Sequence, residues 1–404
     1  MDNSLHFEKS WNIAIIGGGP AGAATALSFF SALKARLPQK EWASRISVSL
    51  YDACVSALSE PNKKIRVGET IPPAASPVLR RLGIFDILER RVEQDEVHLV
   101  CPGSISLWND DKPGYNDFMV DIVGRGYHLN REVFDQQLLE KACDAGVIHQ
   151  QGWKLTDVKA QKCTQQLEFS VHKKNDKSDT TSIDADFVID ATGKSCAFSK
   201  RLNVCRNDLD KVIFLCAVIE LPQNCNLVTN TLVEAVAQGW WYAARIPNNK
   251  IIITLCTDQQ GIKEHQWRDS KNWLALFSQT RFLKAQLTKF DIHLTLDDIN
   301  IVTQSASSSL LSAVCGENWL AVGDAASSYD PISSAGITKA LQHGEQAGKA
   351  LAMLVADGKD DLLQAYQRLV FDDFMQYVDV RNELYASEQR FSASDFWQRR
   401  LGLL

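Results

Sequence analysis

The 404-residue chain lacks any apolar run that approaches the length of a bilayer span. Its first residues, Met1 to His6, carry neither the basic region nor the apolar core of a secretory leader. A cytoplasmic protein is expected from these two absences. Basic residues are not in excess: the formal net charge is -6, which argues against a nucleic-acid footprint. The ten cysteines include no CxxC pair and no regular spacing, so free, largely buried thiols are expected. The eight histidines show no HExxH or comparable spacing, and no metal is expected. Internal repeats and low-complexity segments are also missing. What remains is a chain 45% hydrophobic, long enough for one large domain or two intimately joined ones.

The most informative stretch runs from Ile13 to Leu27. Ile13-Ala14-Ile15-Ile16 is a continuous apolar run, Gly17-Gly18-Gly19 follows, and small residues lead on from Pro20-Ala21-Gly22. That order reads as a buried parallel strand, a tight turn and the first turn of a helix. Gly17 makes the turn, Gly19 lets backbone approach a pyrophosphate, and Gly22 lets the helix pack closely on the strand. Phosphates then sit on the exposed N–H groups of the helix start. A second strand is expected from Ile46 to Asp52, with Asp52 where an acid grips a ribose hydroxyl. The spacing exceeds the usual roughly 20 residues. The segment from Ser31 to Ser44 therefore extends or interrupts the connecting helix.

Further along, Val67-Gly68-Glu69-Thr70-Ile71-Pro72-Pro73 reads as an exposed loop, since paired prolines force an extended or turned backbone. Ser104 to Trp108 alternates like a strand with one wet face. A helix begins near Arg131 and stops at Gly146. Arg131 at this entry either meets a phosphate or is a surface arginine. Residues 153 to 188 read as a strand-turn-strand excursion that closes on Phe187-Val188-Ile189-Asp190-Ala191-Thr192-Gly193, a buried strand ending in a glycine turn. Strands are then expected at Val212 to Leu221, Thr231 to Val236, Gly239 to Ile246 and Ile251 to Thr257, forming an antiparallel sheet over the first layer. Within Gly239-Trp240-Trp241-Tyr242, neighbouring side chains face opposite sides, so only one tryptophan can face a cleft. A third strand-glycine unit, Trp319 to Asp324, precedes Tyr329-Asp330-Pro331-Ile332-Ser333-Ser334-Ala335-Gly336-Ile337 and a helix from Thr338 to Ala356. The tail from Leu362 to Leu404 is helical and rich in aromatics.

The glycine cradle at 17 to 22, Asp190-Ala191-Thr192-Gly193 and Gly323-Asp324 stand in the order found in the FAD-dependent aromatic hydroxylase superfamily, which the chain resembles. The 67–73 and 330–337 stretches, with Glu388-Gln389-Arg390-Phe391 and Phe396-Trp397, resemble the branch that holds the flavin-dependent tryptophan halogenases. The same branch contains the flavoproteins that mature cysteine tryptophylquinone in lysine and glycine oxidases, and the likeness is closer to these. The resemblance implies an α/β fold: a glutathione-reductase-like, Rossmann-type FAD-binding domain at 1–96, 124–205 and 305–358. An inserted antiparallel-sheet substrate domain would occupy 97–123 and 206–304, with C-terminal helices at 359–404.

It also implies that Gly17, Gly19, Gly22 and Asp52 hold the ADP half of FAD, that Arg131 lies by the cofactor, and that Asp324 holds the ribityl chain. Pro20, Ala21, Gly68, Glu69, Gly193, Gly323, Ser334, Ala335, Gly336 and Ile337 complete the cofactor set. Asp330, Glu69, Ser333 and Ser334 are the expected catalytic groups near the flavin ring, with Asp330 favoured. Trp240, Trp241 and Trp108 are candidate walls of the substrate pocket. Halogenases of this branch use a lysine shortly after the GE-x-x-P loop, but no lysine occurs here between Lys64 and Lys112. Their WxWxIP stretch reads Gly239-Trp240-Trp241-Tyr242-Ala243-Ala244-Arg245-Ile246-Pro247. The expected activity is therefore monooxygenation, through a flavin C4a-hydroperoxide, of a tryptophan side chain in the precursor of a tryptophylquinone-dependent amino-acid oxidase. Molecular oxygen is the co-substrate, and no second nucleotide fingerprint appears, so electrons come from NAD(P)H or a separate flavin reductase. Hydroxylation or halogenation of a small aromatic molecule, and a flavin-binding maturation chaperone without turnover, stand as alternatives.

Overall fold

The computed structural model describes residues 9–54, 69–93, 97–118, 121–159, 166–174 and 176–402. Five parallel strands form the first sheet, in the order Trp319–Ala321, Phe187–Asp190, Trp11–Ile16, Ile46–Asp52, Ile148–Gln151. The glycine strand is central, with its sequence successor on one side and the Phe187 strand on the other. Such a reversal of strand order opens a crevice at the carboxyl ends. Ile16 is paired with Asp190 and Asp190 with Ala321, so all three glycine turns leave the sheet side by side.

Pro20–Lys34 packs lengthwise on the long helix Gly336–Asp357. Small residues allow the approach. A Cβ on Gly344 would lie 2.6 Å from the Ala21 carbonyl oxygen, and one on Gly348 would lie 2.4 Å from that of Thr25. Ser28 Oγ adds a hydrogen bond, donated at 2.6 Å to the Glu345 carbonyl. Because the two helices run together from one end, both point their N-termini at the crevice.

The second sheet has seven strands, in the order Val302–Ser305, Val212–Glu220, Lys250–Asp258, Gly239–Ile246, Thr231–Val236, Gly103–Leu107, Gly114–Asp117. All neighbours are antiparallel except Thr231–Val236 with Gly103–Leu107, which run parallel. One face is covered by the helices Ser270–Phe277 and Phe282–Lys289. The other carries Phe214, Trp240 and Ala244 and packs on Tyr385, Phe396 and Trp397 from the C-terminal helices. The 153–188 excursion holds one strand more than its alternation suggests: Trp153–Lys159, Leu167–Lys173 and Asp176–Ala185 form an antiparallel trio. No helix among the described residues is long and apolar enough to cross a membrane.

Candidate active site

A cavity of about 400 Å³ opens where the three glycine turns meet the second sheet. The first turn shows why its glycines are needed. Gly17 has φ +117°, and a Cβ there would lie 2.2 Å from the Ala191 carbonyl oxygen. A Cβ on Gly22 would lie 2.1 Å from the Gly17 oxygen. These two shape the turn from behind, whereas Gly19, Pro20 and Ala21 line the cavity. Asp52 ends its strand beside Gly18: a Cβ on Gly18 would meet its carboxylate at 2.7 Å. Gly323, with φ +60°, packs its α-carbon towards Ala21, and Gly68 lies outside the described residues.

Glu69, Arg131, Gly193, Asp324, Asp330, Ser334, Gly336, Ile337 and Trp240 also line the cavity. Ser333 and Ala335 do not: Ser333 Oγ is turned back to the Asp330 carbonyl at 3.2 Å. The two adjacent tryptophans part company as strand alternation requires. Trp240 faces the cavity, while Trp241 is fully buried on the opposite face against Trp273 and Phe277. Trp108 stands behind the wall, edge-on to Trp240 at 6.4 Å, with its Nε1 donating to the Leu384 carbonyl at 3.0 Å.

Two carboxylates are held in opposite ways. Burial pushes Asp330 above the ordinary carboxyl range, and its hydrogen bonds from Ile332 N at 2.9 Å and Tyr385 OH at 2.7 Å do not offset this. Arg381 stands 4.0 Å away and is itself committed to Asp210 at 2.9 Å. Asp324 is also penalised by burial, but Lys339 at 2.8 Å, with Lys194 further off, draws it below the usual range. Lys194, whose affinity for its proton is lowered by burial, lines the cavity and donates to the Ser305 carbonyl at 2.8 Å. Arg131 holds Asp135 at 3.2 Å across one helical turn. Asp190 proves to be a brace for its turn: it accepts from Thr192 N and Oγ1 and from Ser199 N and Oγ.

Sequence reasoning missed Thr70, Lys194, Phe214, Tyr242, Gln304 and Tyr329 as lining residues. Tyr242 was within reach, because it shares a strand face with Trp240. Thr70, Lys194 and Tyr329 adjoin the expected Glu69, Gly193 and Asp330, whereas Phe214 and Gln304 come from strands whose placement only the sheet order decides.

The residues suit a dinucleotide with a flat ring. A Cβ added to Gly19, Gly193 or Gly336 meets nothing within 4 Å, so three glycines from three chain segments present bare backbone to one space. Both facing helices start without a side-chain cap, leaving their first N–H groups for an anion or an electron-rich ring edge. Fold and cavity together define an FAD-dependent oxidoreductase. The tryptophan halogenase model matches residues 112–401, and the chain belongs to that family of flavin-dependent enzymes.

Among its relatives is a protein named as an FAD-dependent oxidoreductase, LodB of Marinomonas mediterranea, 27% identical over 397 residues and covering 97% of each chain. The 1H-pyrrole-2-carbonyl-(peptidyl-carrier protein) brominase of Pseudoalteromonas luteoviolacea is 23% identical, over 87% of this chain and 79% of that one. Among solved structures, the chondrochloren halogenase CndH aligns with a TM-score of 0.80 at 19% identity, covering 97% of this chain and 86% of that one. The peptidyl tryptophan dihydroxylase QhpG, essential for tryptophylquinone cofactor biogenesis, aligns with a TM-score of 0.73 at 21% identity, covering 97% and 78%.

Proposed function

We propose that this protein is an FAD-dependent monooxygenase that hydroxylates a tryptophan side chain of a partner precursor protein during tryptophylquinone biogenesis. The observation that carries the reading is the cavity wall: Trp240, Phe214 and Tyr242 face Glu69 and Asp330 in one pocket. This wall offers an indole aromatic contact and carboxyl groups for its proton, and the chain has no lysine from 65 to 111 to steer a halogenating agent. End-to-end similarity to LodB and the likeness in fold to a peptidyl tryptophan dihydroxylase support it.

Ala21 and Gly22 at the helix start would hold the pyrophosphate, Asp52 a ribose and Asp324 the ribityl hydroxyls, with Gly193, Arg131, Gly336 and Ile337 around the ring. When bound and reduced, FAD supplies the activation of molecular oxygen. NAD(P)H or a separate flavin reductase supplies its electrons. The chain's own residues do the rest. Trp240 and Phe214 position the substrate ring and keep water out. Asp330, held towards its neutral form by burial, stands where it takes up or returns the proton of the substituted ring.

The test is the intact mass of a co-expressed quinoprotein precursor, with and without this chain, under reducing equivalents and air. Oxygen added to a precursor tryptophan only in the presence of the chain is expected. An unchanged precursor beside turnover of free indoles or of a carrier-bound pyrrole would overturn the reading.

A further inference from the structure

From the cavity wall a chain of side chains runs inward that the functional reading uses only at its near end, Glu69 and Tyr242. Thr70 and His128 are directly opposed on the antiparallel strands Thr70–Ile71 and Gly126–His128, which brings their side chains together. The third strand to reach them is Gly239–Ile246, through Tyr242. Thr70 Oγ1 is 2.8 Å from His128 Nδ1 and 2.8 Å from Tyr242 OH. Tyr242 OH is also hydrogen-bonded to Glu69 Oε1, and His128 Nε2 stands 2.7 Å from the Thr229 carbonyl oxygen. Glu69, Thr70 and Tyr242 line the cavity, whereas His128 is wholly buried.

The hydrogens along this chain can be counted. A carbonyl oxygen only accepts, so His128 Nε2 carries a proton and donates it to Thr229. If Nδ1 is bare, Thr70 donates to it, Tyr242 must donate to Thr70, and only a proton on Glu69 Oε1 can fill the remaining contact. If Nδ1 is protonated, every bond reverses: His128 donates to Thr70, Thr70 to Tyr242, and Tyr242 to a Glu69 carboxylate. With Glu69 ionised and His128 neutral, one of the three links has no hydrogen at all. The count concerns Oε1 alone and holds whatever the other Glu69 oxygen meets.

We infer that Glu69 and His128 share a single proton through Tyr242 and Thr70, forming a buried store that opens onto the cavity. The far end closes on the Thr229 backbone carbonyl, so among the described residues the chain of hydrogen bonds stops at His128. Burial lowers the His128 imidazole to about 4, and burial together with the neighbouring Glu69 raises the Tyr242 phenol well above its usual value, so both groups keep their neutral forms and the hydrogen count leaves the shared proton at the Glu69 end. Cys101 and Cys216, the thiols in electrostatic contact with Tyr242 and Glu69, are pushed up by burial and stay neutral.

The role of the store rests on the monooxygenase reading. Incorporating one atom of oxygen and reducing the other to water takes two electrons and two protons. The electrons come from the reductant, and breaking the Glu69 O–H bond delivers one of the protons to oxygen in the cavity. Glu69 is the group that meets the reacting atoms; Thr70 and His128 act through it as positioning residues.

The test needs neither substrate nor turnover, so its failure is distinct from a failure of the proposed activity. Infrared difference spectra of the full-length FAD-loaded protein against Glu69→Gln report whether Glu69 is a carboxylic acid. Nitrogen-15 NMR of histidine-labelled protein, assigned with His128→Gln, reports the charge and tautomer of His128. A protonated Glu69 beside a neutral, Nε2–H His128 at pH 7 is expected, and a carboxylate beside a cationic His128 is the same shared proton at its other end. A carboxylate beside a neutral His128 in the wild-type protein overturns the inference. Thr70→Val then separates sharing from mere packing. It frees the Tyr242 hydrogen for Glu69, so the proton affinity of Glu69 should fall about tenfold or more. An unchanged Glu69 titration in that variant also overturns it.

Discussion

Replacing Gly348 by alanine should destabilise the protein, although alanine is the better helix former. In a helix interior the exchange is intrinsically worth about 1 kcal/mol in favour of alanine. Here the new Cβ would sit 2.4 Å from the Thr25 carbonyl oxygen and 2.7 Å from Phe29 N, when contacts below 3.0 Å essentially never occur. Both neighbours are backbone of the facing helix and cannot rotate away. The helices must therefore separate by at least about 0.6 Å along much of their shared length. Overpacking of this kind costs roughly 3 kcal/mol at the upper end of its range, leaving a net loss of about 2 kcal/mol.

Gly336→Ala is the control on the same helix, because its Cβ meets nothing within 4 Å and points into the cavity. That variant should unfold like the wild type when stripped of FAD, yet retain FAD poorly. Urea unfolding of the flavin-free proteins and the visible absorbance of the purified ones separate the two effects. A Gly348→Ala protein as stable as the wild type would refute the packing argument. Full flavin content in Gly336→Ala would refute the placing of the cofactor against this helix start.

Gly19→Val should abolish FAD binding with the fold kept, since its side chain fills open space at the pyrophosphate's place; a yellow, FAD-loaded variant would remove the cradle assignment. Asp330→Asn should retain flavin and lose oxygenation, seen as reductant consumed without product. Its stability should also respond to pH in a set direction. Burial raises Asp330 in the folded state, so its neutral form contributes stability that is fully present below the unfolded carboxyl value of ~3.9. That contribution is lost as pH rises through the folded value, and asparagine loses nothing there. The advantage of the variant over the wild type should grow across this window in urea titrations, and a constant difference would contradict it. Glu234→Ala should cost roughly 3 kcal/mol without touching the flavin spectrum. The buried Glu234 carboxylate accepts from Arg281 N at 2.6 Å, Phe282 N at 3.0 Å and Leu283 N at 2.8 Å, and so caps the start of a helix from a neighbouring strand.

The parts of the fold legible in the sequence are those written in one contiguous segment. An apolar run followed by glycine and small residues can hardly be anything but a strand, a turn and a helix start. The three such units emerge as three parallel strands with adjacent ends. The strands Thr231–Val236 and Gly239–Ile246 were equally plain, since alternation and the intervening turn are local. Alternation also shows that Trp240 and Trp241 must part. It does not show which one meets the cavity, because that depends on which sheet face the helices Ser270–Phe277 and Phe282–Lys289 cover.

The sequence by itself therefore determined the strand, glycine turn and helix start of each unit, because backbone conformation and close approach are requirements on single residues and their neighbours, while the class of chemistry came with the family resemblance those motifs carry. The tertiary structure alone decided what the cavity can do with a proton. Asp330 meets Tyr385 and Arg381 only because a C-terminal helix lies across the sheet. Glu69, Thr70, His128 and Tyr242 join only where strands far apart in the chain are brought into contact. No spacing in the sequence encodes such a meeting. Hydrogen bonds are made over about 3 Å, and only the order and register of the strands set distances that short between remote residues.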